Sequence, residues 1–139
     1  MTVSYKIHPN LHLVCVTYSG EVTPDQYLES FDRYLKDPDY APDLRILMNM
    51  TTATGFDIDF KAMFQMVLHQ IPHYANRPKG TRAAILAPDD LSFGIGRMYQ
   101  SLTDGQLPSE LAVFRTAEEA FDFLGLEPDD SLLSAPPTD

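Results

Sequence analysis

Histidine and cysteine are the residues of this sequence whose spacing could support metal binding or nucleophilic catalysis. His69 and His73 are four residues apart, a separation that can place two imidazoles on one helical face beside a metal ion. Pro72 intervenes, however, and no third ligand follows at a recognisable spacing. Cys15 lies among apolar residues in a strand-like run, where a thiol is usually an inert core side chain. We therefore expect no metal site and no catalytic nucleophile.

Motifs for phosphate binding and acid–base catalysis are incomplete as well. Gly94 and Gly96 lack the third glycine of a dinucleotide-binding turn, because Tyr99 stands at that position. Asp89 and Asp90 are adjacent carboxylates, and adjacency suits helix capping better than paired acid–base work. The sequence contains neither a phosphate-binding loop nor a GxSxG motif. It thus predicts a protein that is not an enzyme and needs no cofactor.

A polar segment that follows an apolar run is the better candidate for a functional surface. Residues 44–50 are almost wholly apolar, which predicts a strand buried on both faces of a parallel sheet. We expect residues 51–56 to form a loop and Asp57 or Asp59 to cap a helix that ends near Pro72. Such a loop lies at the carboxyl end of a central strand, where open α/β sheets gather functional groups. The predicted protein-binding residues are Thr51, Thr52, Thr54, Gly55, Asp57 and Asp59.

Methionine and phenylalanine side chains suggest a second type of site, a pocket for an apolar ligand. The chain has six methionines, and flexible thioethers adapt to varied apolar surfaces. Most of them lie on elements that should converge beside the central strand. Filling of the core is the simpler explanation, and it predicts that Phe60 and Phe64 belong to the buried face of their helix. The pocket candidates are Met48, Met50, Phe60, Met63, Phe64, Phe93 and Met98.

Turn and capping signals predict the elements that position these residues. Two β-rich runs, residues 3–7 and 11–18, flank a Pro-Asn turn and indicate an antiparallel hairpin ended by Gly20. The βα units that follow open at capping residues, most clearly at the Thr-Ala-Glu-Glu box of residues 116–119. The predicted fold is α/β, with a mixed β-sheet in which an N-terminal hairpin precedes βα units in the order ββαβαβαβα. We expect one domain over residues 1–126 and a flexible acidic tail over residues 127–139.

Charge and hydropathy exclude two classes of partner. Twenty acidic and 10 basic residues give a net charge of −10, which repels nucleic acids and anionic membrane surfaces. The nearest approach to a basic cluster is Arg77, Lys79 and Arg82, which we expect in a solvated loop. No apolar run approaches the ~20 residues of a membrane-spanning helix, and the amino terminus does not resemble a signal peptide. A single cysteine suits a reducing compartment, so we expect a cytoplasmic protein.

Three segments and the order of elements resemble the STAS domain family. The segments are ILMNMTTATGFDIDF, RAAILAPDDLSFGIGRMYQ and AVFRTAEEAFDFL, and the similarity extends over residues 3–125. It is greatest to the SpoIIAA-like branch, which groups with bacterial anti-sigma factor antagonists and is related in fold to CRAL-TRIO lipid-transfer domains. The resemblance implies a SpoIIAA-like fold and a non-catalytic regulatory module that binds a protein partner.

Phosphoswitch members of this family carry an Asp-Ser-Ser-Gly motif at the start of the second helix, where phosphorylation of a serine breaks a complex. The matching stretch here is Gly55–Phe60, GFDIDF, which has no serine. The stretch allows three interpretations. Its aspartates could mimic a phosphate permanently, the chain could lack the phosphorylation switch altogether, or the aspartates could only cap the helix. The resemblance thus implies an interaction module without the phosphoacceptor, and the alternative is a carrier or sensor of a lipid or other apolar small molecule. A homodimer is compatible with either function.

Overall fold

The computed structural model describes residues 2–134 of the chain. Within that range the backbone forms five strands, four α-helices and two short 3₁₀ turns. The strands are β1 (Val3–His8), β2 (Leu13–Val22), β3 (Arg45–Phe56), β4 (Arg82–Leu86) and β5 (Glu110–Phe114). The helices are α1 (Pro24–Leu35), α2 (Phe60–Tyr74), α3 (Asp90–Thr103) and α4 (Ala117–Leu124), and the 3₁₀ turns are Pro9–Leu11 and Asp130–Leu133.

The five strands form one sheet in the order β1-β2-β3-β4-β5. β1 pairs with β2 in the antiparallel sense, whereas β2, β3, β4 and β5 are parallel to one another. This mixed α/β sheet confirms the predicted fold class. Because side chains alternate along each strand, the sheet has two separate cores. One core packs against α1, α2 and α3, and the other packs against α4 and the C-terminal 3₁₀ turn.

Side-chain caps fix the starts of the helices, as the sequence predicts. Asp59 accepts a hydrogen bond from the Ala62 amide at 2.8 Å and so caps α2. Asp89 accepts one from the Ser92 amide at 2.8 Å and caps α3 in the same way. These carboxylates satisfy amide groups that have no partner within the helix, and their negative charge suits its positive end. These two caps also mark the ends of the loops that precede α2 and α3.

The segment predicted as a loop after the central strand is instead part of it. β3 is 12 residues long, and its second half pairs with β2, so that Thr52 lies opposite Ser19 and Gly55 lies opposite Glu21. The expectation that Gly20 ends the hairpin strand is wrong for the same reason, because β2 continues to Val22 with a shift of register beside Gly20. Threonines favour extended backbone because their β-branched side chains are restricted in a helix.

Helix α2 differs from its prediction at both ends. It continues through Pro72 to Tyr74, so Pro72 does not end it. The prediction that Phe60 and Phe64 are buried is also wrong, because 61% and 46% of these residues are exposed. In α3, the helical spacing of Leu91 with Ile95 predicts that Leu91 faces inward, but this residue is 54% exposed. The buried face of α2 follows a different helical stripe and consists of Met63, Met66, Val67, Gln70 and Tyr74.

The predicted tail, residues 127–139, packs on the sheet in its described part. Leu132 is 5% exposed and belongs to the core on the α4 face. The fully buried Asn49 donates a hydrogen bond from Nδ2 to the Leu133 carbonyl at 3.0 Å. Residues 135–139 lie outside the described residues. Among the helices of residues 2–134, none combines the length and apolar character that a bilayer crossing demands.

Candidate functional site

A cavity of about 560 Å³ lies between the sheet and the layer formed by α1, α2 and α3. Protein sites for small molecules typically measure about 300–1,000 Å³, so this cavity has the size of a ligand site. Alternate residues of β2 and β3 form its apolar floor, including Val14, Val16, Ile46 and Met48. Such a floor is available because the inward side chains of parallel strands share one face of the sheet.

The mouth of the cavity lies at the end of α3. Only four of the described lining residues are exposed, and all four belong to the second half of α3 or to the loop before β5. They are Arg97, Ser101, Asp104 and Gly105. This loop leads into the amino end of β5, so the mouth lies at the sheet edge opposite the predicted protein-binding segment, which begins in the carboxyl half of β3.

Tyrosine dominates the cavity wall. The chain has seven tyrosines, and six of them line the cavity. Burial raises the pKa of Tyr27 to about 12, and burial together with a hydrogen bond to Asp37 raises that of Tyr5 to about 12. The hydroxyl groups therefore stay protonated at neutral pH and can donate hydrogen bonds. The six residues are Tyr5, Tyr18, Tyr27, Tyr34, Tyr74 and Tyr99.

At one end of the cavity, a buried glutamine joins two of these hydroxyl groups. Gln70 is 1% exposed, and its Oε1 accepts a hydrogen bond from the Tyr99 hydroxyl at 2.7 Å. Its Nε2 donates a hydrogen bond to the Tyr27 hydroxyl. The Tyr27 ring stacks on the ring of Tyr18 with centroids 6.2 Å apart. The side-chain amide is thus satisfied at both ends, and it fixes the phenol rings of α1 and α3 relative to α2.

At another point of the wall, a buried arginine lies directly behind the lining residues. Arg77 is 3% exposed, which contradicts the expectation of a solvated loop. Its Nη2 donates a hydrogen bond to the Leu44 carbonyl at 2.6 Å, and its Nε donates one to Ser109 Oγ at 3.1 Å. The guanidinium carbon lies 4.9 Å from the centre of the Tyr74 ring. The guanidinium group ties the start of β3 to the loop before β5. Tyr74 and Ser109 line the cavity, so the guanidinium group lies directly behind part of its wall.

Two polar atoms at this wall have no hydrogen-bond partner within residues 2–134. They are Nη1 of Arg77 and the hydroxyl of Tyr34, and both are fully buried. Burial raises the pKa of Tyr34, while the charge of Arg77 and a hydrogen-bond interaction with its guanidinium group oppose that shift. The two groups therefore lie close together, although no hydrogen bond of ordinary length joins them. Buried polar groups are almost always paired, so two unpaired donors beside a cavity are a notable departure.

The predicted pocket residues divide between this cavity, a small void and the surface. Met48 lines the cavity. Met50 and Met63, together with Met48, border a separate space of about 20 Å³, which has room for little more than a water molecule. The other four predicted residues lie outside the cavity lining. Phe60 and Phe64 are exposed on α2, Phe93 packs under Arg115, and Met98 is half-buried on α3.

The predicted protein-binding residues lie together at the outer end of β3 and the start of α2. Thr51, Thr52, Thr54, Asp57 and Asp59 are exposed, and Gly55 is half-buried. Two of the hydroxyls are already engaged, because Thr51 donates to Asn49 Oδ1 at 2.7 Å and Thr52 donates to the Tyr18 carbonyl at 2.9 Å. The segment is therefore an accessible surface rather than a set of unpaired polar groups.

An exposed apolar stripe adjoins this surface. Phe60, Phe64 and Leu68 follow one another at intervals of four residues on the outer face of α2. The two phenylalanine rings stack with centroids 6.5 Å apart, and Leu68 is 51% exposed. The acidic residues Asp57 and Asp59 lie immediately before the stripe. The term α2 stripe refers below to Phe60, Phe64 and Leu68.

The histidine and cysteine candidates do not form a reactive group. Nε2 of His69 lies 3.0 Å from Oδ1 of Asp32, and the ring of His73 packs edge-on to Phe31. Burial raises the pKa of the Cys15 thiol to about 12, which makes the thiolate scarce at neutral pH. In the part of the chain that the structure describes, no three His, Cys, Asp or Glu side chains converge on a possible metal position.

Comparisons by sequence give no match, either to a protein-family model or to a curated protein. Among solved structures, the chain is similar to an uncharacterised protein of the DUF3478 family from Shewanella loihica PV-4, which is described as having a SpoIIAA-like fold. The similarity covers 88% of this chain and 91% of that chain, with a TM-score of 0.54 and 18% sequence identity. The chain has a SpoIIAA-like fold. This confirms the predicted resemblance at the level of the fold.

In this SpoIIAA-like chain, the two candidate sites are well separated. The α2 stripe begins at the carboxyl edge of the parallel strands, where α2 starts, whereas the mouth of the cavity lies at the opposite edge, where α3 ends. A sequence signal marks the first site, because capping residues and threonines cluster along residues 51–59. No such signal marks the cavity, because its six tyrosines are spread between residues 5 and 99.

Proposed function

We propose that this protein binds a small amphipathic molecule in the tyrosine-lined cavity, without catalysing a reaction. The observation that carries the proposal is the cavity of about 560 Å³ above an apolar strand floor. The apolar floor holds water weakly, so a ligand with an apolar body gains most by filling the space.

The chemistry of the wall supports an amphipathic ligand rather than a purely apolar one. Valine, isoleucine and methionine side chains on the strands can bury an apolar body. Tyrosine hydroxyls and the polar residues at the mouth can pair with a polar group. This arrangement, an apolar pocket with a few convergent polar groups, is typical of small-molecule sites. It favours the carrier or sensor function, which the sequence predicts as the alternative.

The test uses a variant that fills the cavity. Ala83 lines the cavity, so Ala83→Phe places a ring inside it, whereas Ala75→Phe adds the same ring at the exposed end of α2. We expect the neutral fluorophore N-phenylnaphthylamine to bind the wild type and Ala75→Phe with similar affinity and to bind Ala83→Phe at least about tenfold more weakly. Equal binding by all three proteins, or binding by none, would reject the cavity as a ligand site.

Native mass spectrometry of the freshly purified protein supplies a second test. A non-covalent adduct that is present in the wild type and in Ala75→Phe but absent from Ala83→Phe supports the proposal and identifies the ligand by its mass. An adduct that persists in Ala83→Phe would place the bound molecule elsewhere on the protein.

A protein-binding function is the second candidate, and the α2 stripe is the observation that favours it. Exposed, stacked aromatic residues are enriched at interfaces, and the stripe adjoins the predicted residues Asp57 and Asp59. The partner suited to this surface is a protein with an apolar patch bordered by basic residues, since the chain carries a net charge of −10. Neither nucleic-acid binding nor membrane insertion belongs to the proposal, and a cytoplasmic location is proposed on the basis of the single cysteine.

The second candidate is tested by removing the apolar contact and the charge separately. Phe60→Ser/Phe64→Ser removes the stacked rings, while Asp57→Asn/Asp59→Asn removes the charge and keeps a side chain that can cap α2. We expect both double variants to lose a partner that the wild type retains in quantitative pull-downs, and the Ala83→Phe variant to keep it. Equal recovery by all variants would reject this surface. A concentration-dependent dimer lost in Phe60→Ser/Phe64→Ser would identify the partner as a second copy of the chain.

A further inference from the structure

We propose that the molecule held in the cavity carries a carboxylate group, and that Tyr34 and Arg77 bind this group at the cavity wall. The inference deepens the proposed function and rests on it. Three observations carry it: a buried positive charge without a counter-ion, two unpaired donors beside each other, and a cavity wall made of the side chains that surround them.

The charge of Arg77 is uncompensated within the described part of the chain. Arg77 is 3% exposed, and its hydrogen bonds go to neutral acceptors, the Leu44 carbonyl and Ser109 Oγ. The five ion pairs of residues 2–134 involve other side chains. A guanidinium group cannot lose its proton at physiological pH, so the charge stays buried. A buried charge of this kind is unfavourable unless an opposite charge approaches it.

The donors that lack partners match the two oxygens of a carboxylate. Arg77 Nη1 and the Tyr34 hydroxyl are both buried and unpaired among residues 2–134. Because burial raises the pKa of Tyr34, its hydroxyl keeps its proton and can donate it in a hydrogen bond. One oxygen can accept from the guanidinium and the other from the phenol, and hydrogen bonds to charged groups are the stronger class. An ammonium group at the same place would be repelled by the positive charge of Arg77.

The wall around these donors belongs to the cavity. Tyr34, Tyr74 and Ser109 all line it, and the Arg77 guanidinium contacts the last two. The Tyr34 ring is held edge-on by Tyr40 and Tyr5, with centroids 5.0 and 5.6 Å away. Because Nη1 of Arg77 is buried, the proposed contact requires the lining side chains in front of it to move.

The charge distribution of the lining favours an anion despite the acidity of the whole protein. The chain has 20 acidic residues, and Asp104 is the acidic residue among the described lining side chains. Asp104 is exposed at the mouth, where Arg97 also lies. These two charges offset each other at the entrance. Behind the wall, Arg77 contacts Tyr74 and Ser109, whereas Asp37 accepts a hydrogen bond from Tyr5 at 2.9 Å. A negatively charged group is therefore favoured at the part of the wall next to Arg77.

The experiment compares decanoate with decanol, which share an alkyl chain and differ in the carboxylate. Isothermal titration calorimetry is performed on the wild type, Tyr34→Phe, Arg77→Met and Arg77→Lys. For the wild type, we expect decanoate to bind roughly tenfold or more tightly than decanol, because hydrogen bonds to charged groups are worth about 1.5–3 kcal/mol. Arg77→Met should abolish this preference, Arg77→Lys should retain part of it, and Tyr34→Phe should weaken decanoate binding while leaving decanol binding unchanged.

The outcomes separate this inference from the proposed function. Equal affinity of the wild type for decanoate and decanol, with binding of N-phenylnaphthylamine intact, would reject the carboxylate and leave the cavity as a ligand site. Failure of all three molecules to bind would reject both. If Arg77→Met does not fold, since it loses the bond to the Leu44 carbonyl, Tyr34→Phe decides the matter, because that hydroxyl has no partner within residues 2–134 to lose. An unchanged preference for decanoate in Tyr34→Phe would then overturn the inference.

Discussion

Two adjacent alanines on β4 allow a direct test of the cavity by protein stability. Ala83 is 3% exposed and lines the cavity, whereas Ala84 is fully buried in the opposite core, which packs against α4. Replacement of each by leucine adds the same three carbon atoms to neighbouring positions of one strand. Strand propensity and sequence context are therefore nearly matched, and the two variants differ in the space available to the new side chain.

The expected effects have opposite signs. At Ala83, burial of three additional carbons at about 0.8 kcal/mol each gives a gain of up to about 2 kcal/mol. At Ala84, the new atoms enter a close-packed core, where overpacking typically costs about 1–3 kcal/mol. With the full gain at Ala83, the two variants should therefore differ in their free energy of unfolding by about 3–5 kcal/mol. For a domain of this size, that difference corresponds to roughly 10 °C or more in Tm.

The assay is equilibrium unfolding in guanidinium chloride, supported by calorimetric Tm values, on protein stripped of bound ligand. Ligand removal is essential, because a ligand that binds only the folded state raises Tm by mass action. The control for changes in the unfolded chain is the slope of the unfolding free energy with denaturant, which should be the same for both variants. Equal destabilisation by Ala83→Leu and Ala84→Leu would refute the cavity, because it would show that both faces of β4 are filled.

Three other predictions address packing and ionisation. Gly96→Ala should destabilise the protein by about 1 kcal/mol or more, because the new Cβ would lie 3.0 Å from Val113 Cγ1. Gly94→Ala should stabilise the protein by about 1 kcal/mol, because the space around Gly94 is open and alanine is the better helix former. Equal effects of the two variants in denaturant titrations would contradict this prediction. Leu132→Ala should lower the free energy of unfolding by about 2 kcal/mol, while an unpacked tail would give no change. Burial raises the pKa of Tyr27 to about 12, so this hydroxyl ionises in the unfolded chain at a lower pH than in the folded protein. The free energy of unfolding should therefore fall as pH rises from about 10 to about 12, and a constant value over that range would refute the prediction.

Local signals in the sequence are sufficient for the α/β class and for the starts of the helices. The caps at Asp59 and Asp89 are short-range contacts, so the residue types nearly determine them. The length of β3 is less predictable, because threonines suit both loops and strands, and pairing with the distant residues Ser19–Val22 decides between them. The orientation of Phe60 and Phe64 is less predictable, because α2 carries apolar residues on more than one face and packing on the rest of the molecule decides which face is buried.

The cavity and the buried arginine could not be predicted, for different reasons. A cavity is a property of packing between elements, and neither hydropathy nor periodicity encodes the distance between a helix and a sheet. Arg77 lies in a short polar loop, and its burial depends on contacts with Leu44 and Ser109, each 32 or more residues away in sequence. The protein-binding surface at residues 51–59 stays a prediction.

The close contact of Gly96 with the sheet has a mechanical consequence for entry into the cavity. A methyl group at this position would nearly touch Val113 and Ile85, so the middle of α3 rests directly on β4 and β5. The second half of α3 and the loop after it carry the exposed residues of the mouth. Because the centre of α3 is packed closely on the sheet, we expect the entrance to widen by movement of the residues beyond Gly96. A ligand would then enter past the last third of α3 and residues 104–109, while α1, α2 and the first part of α3 stay in place.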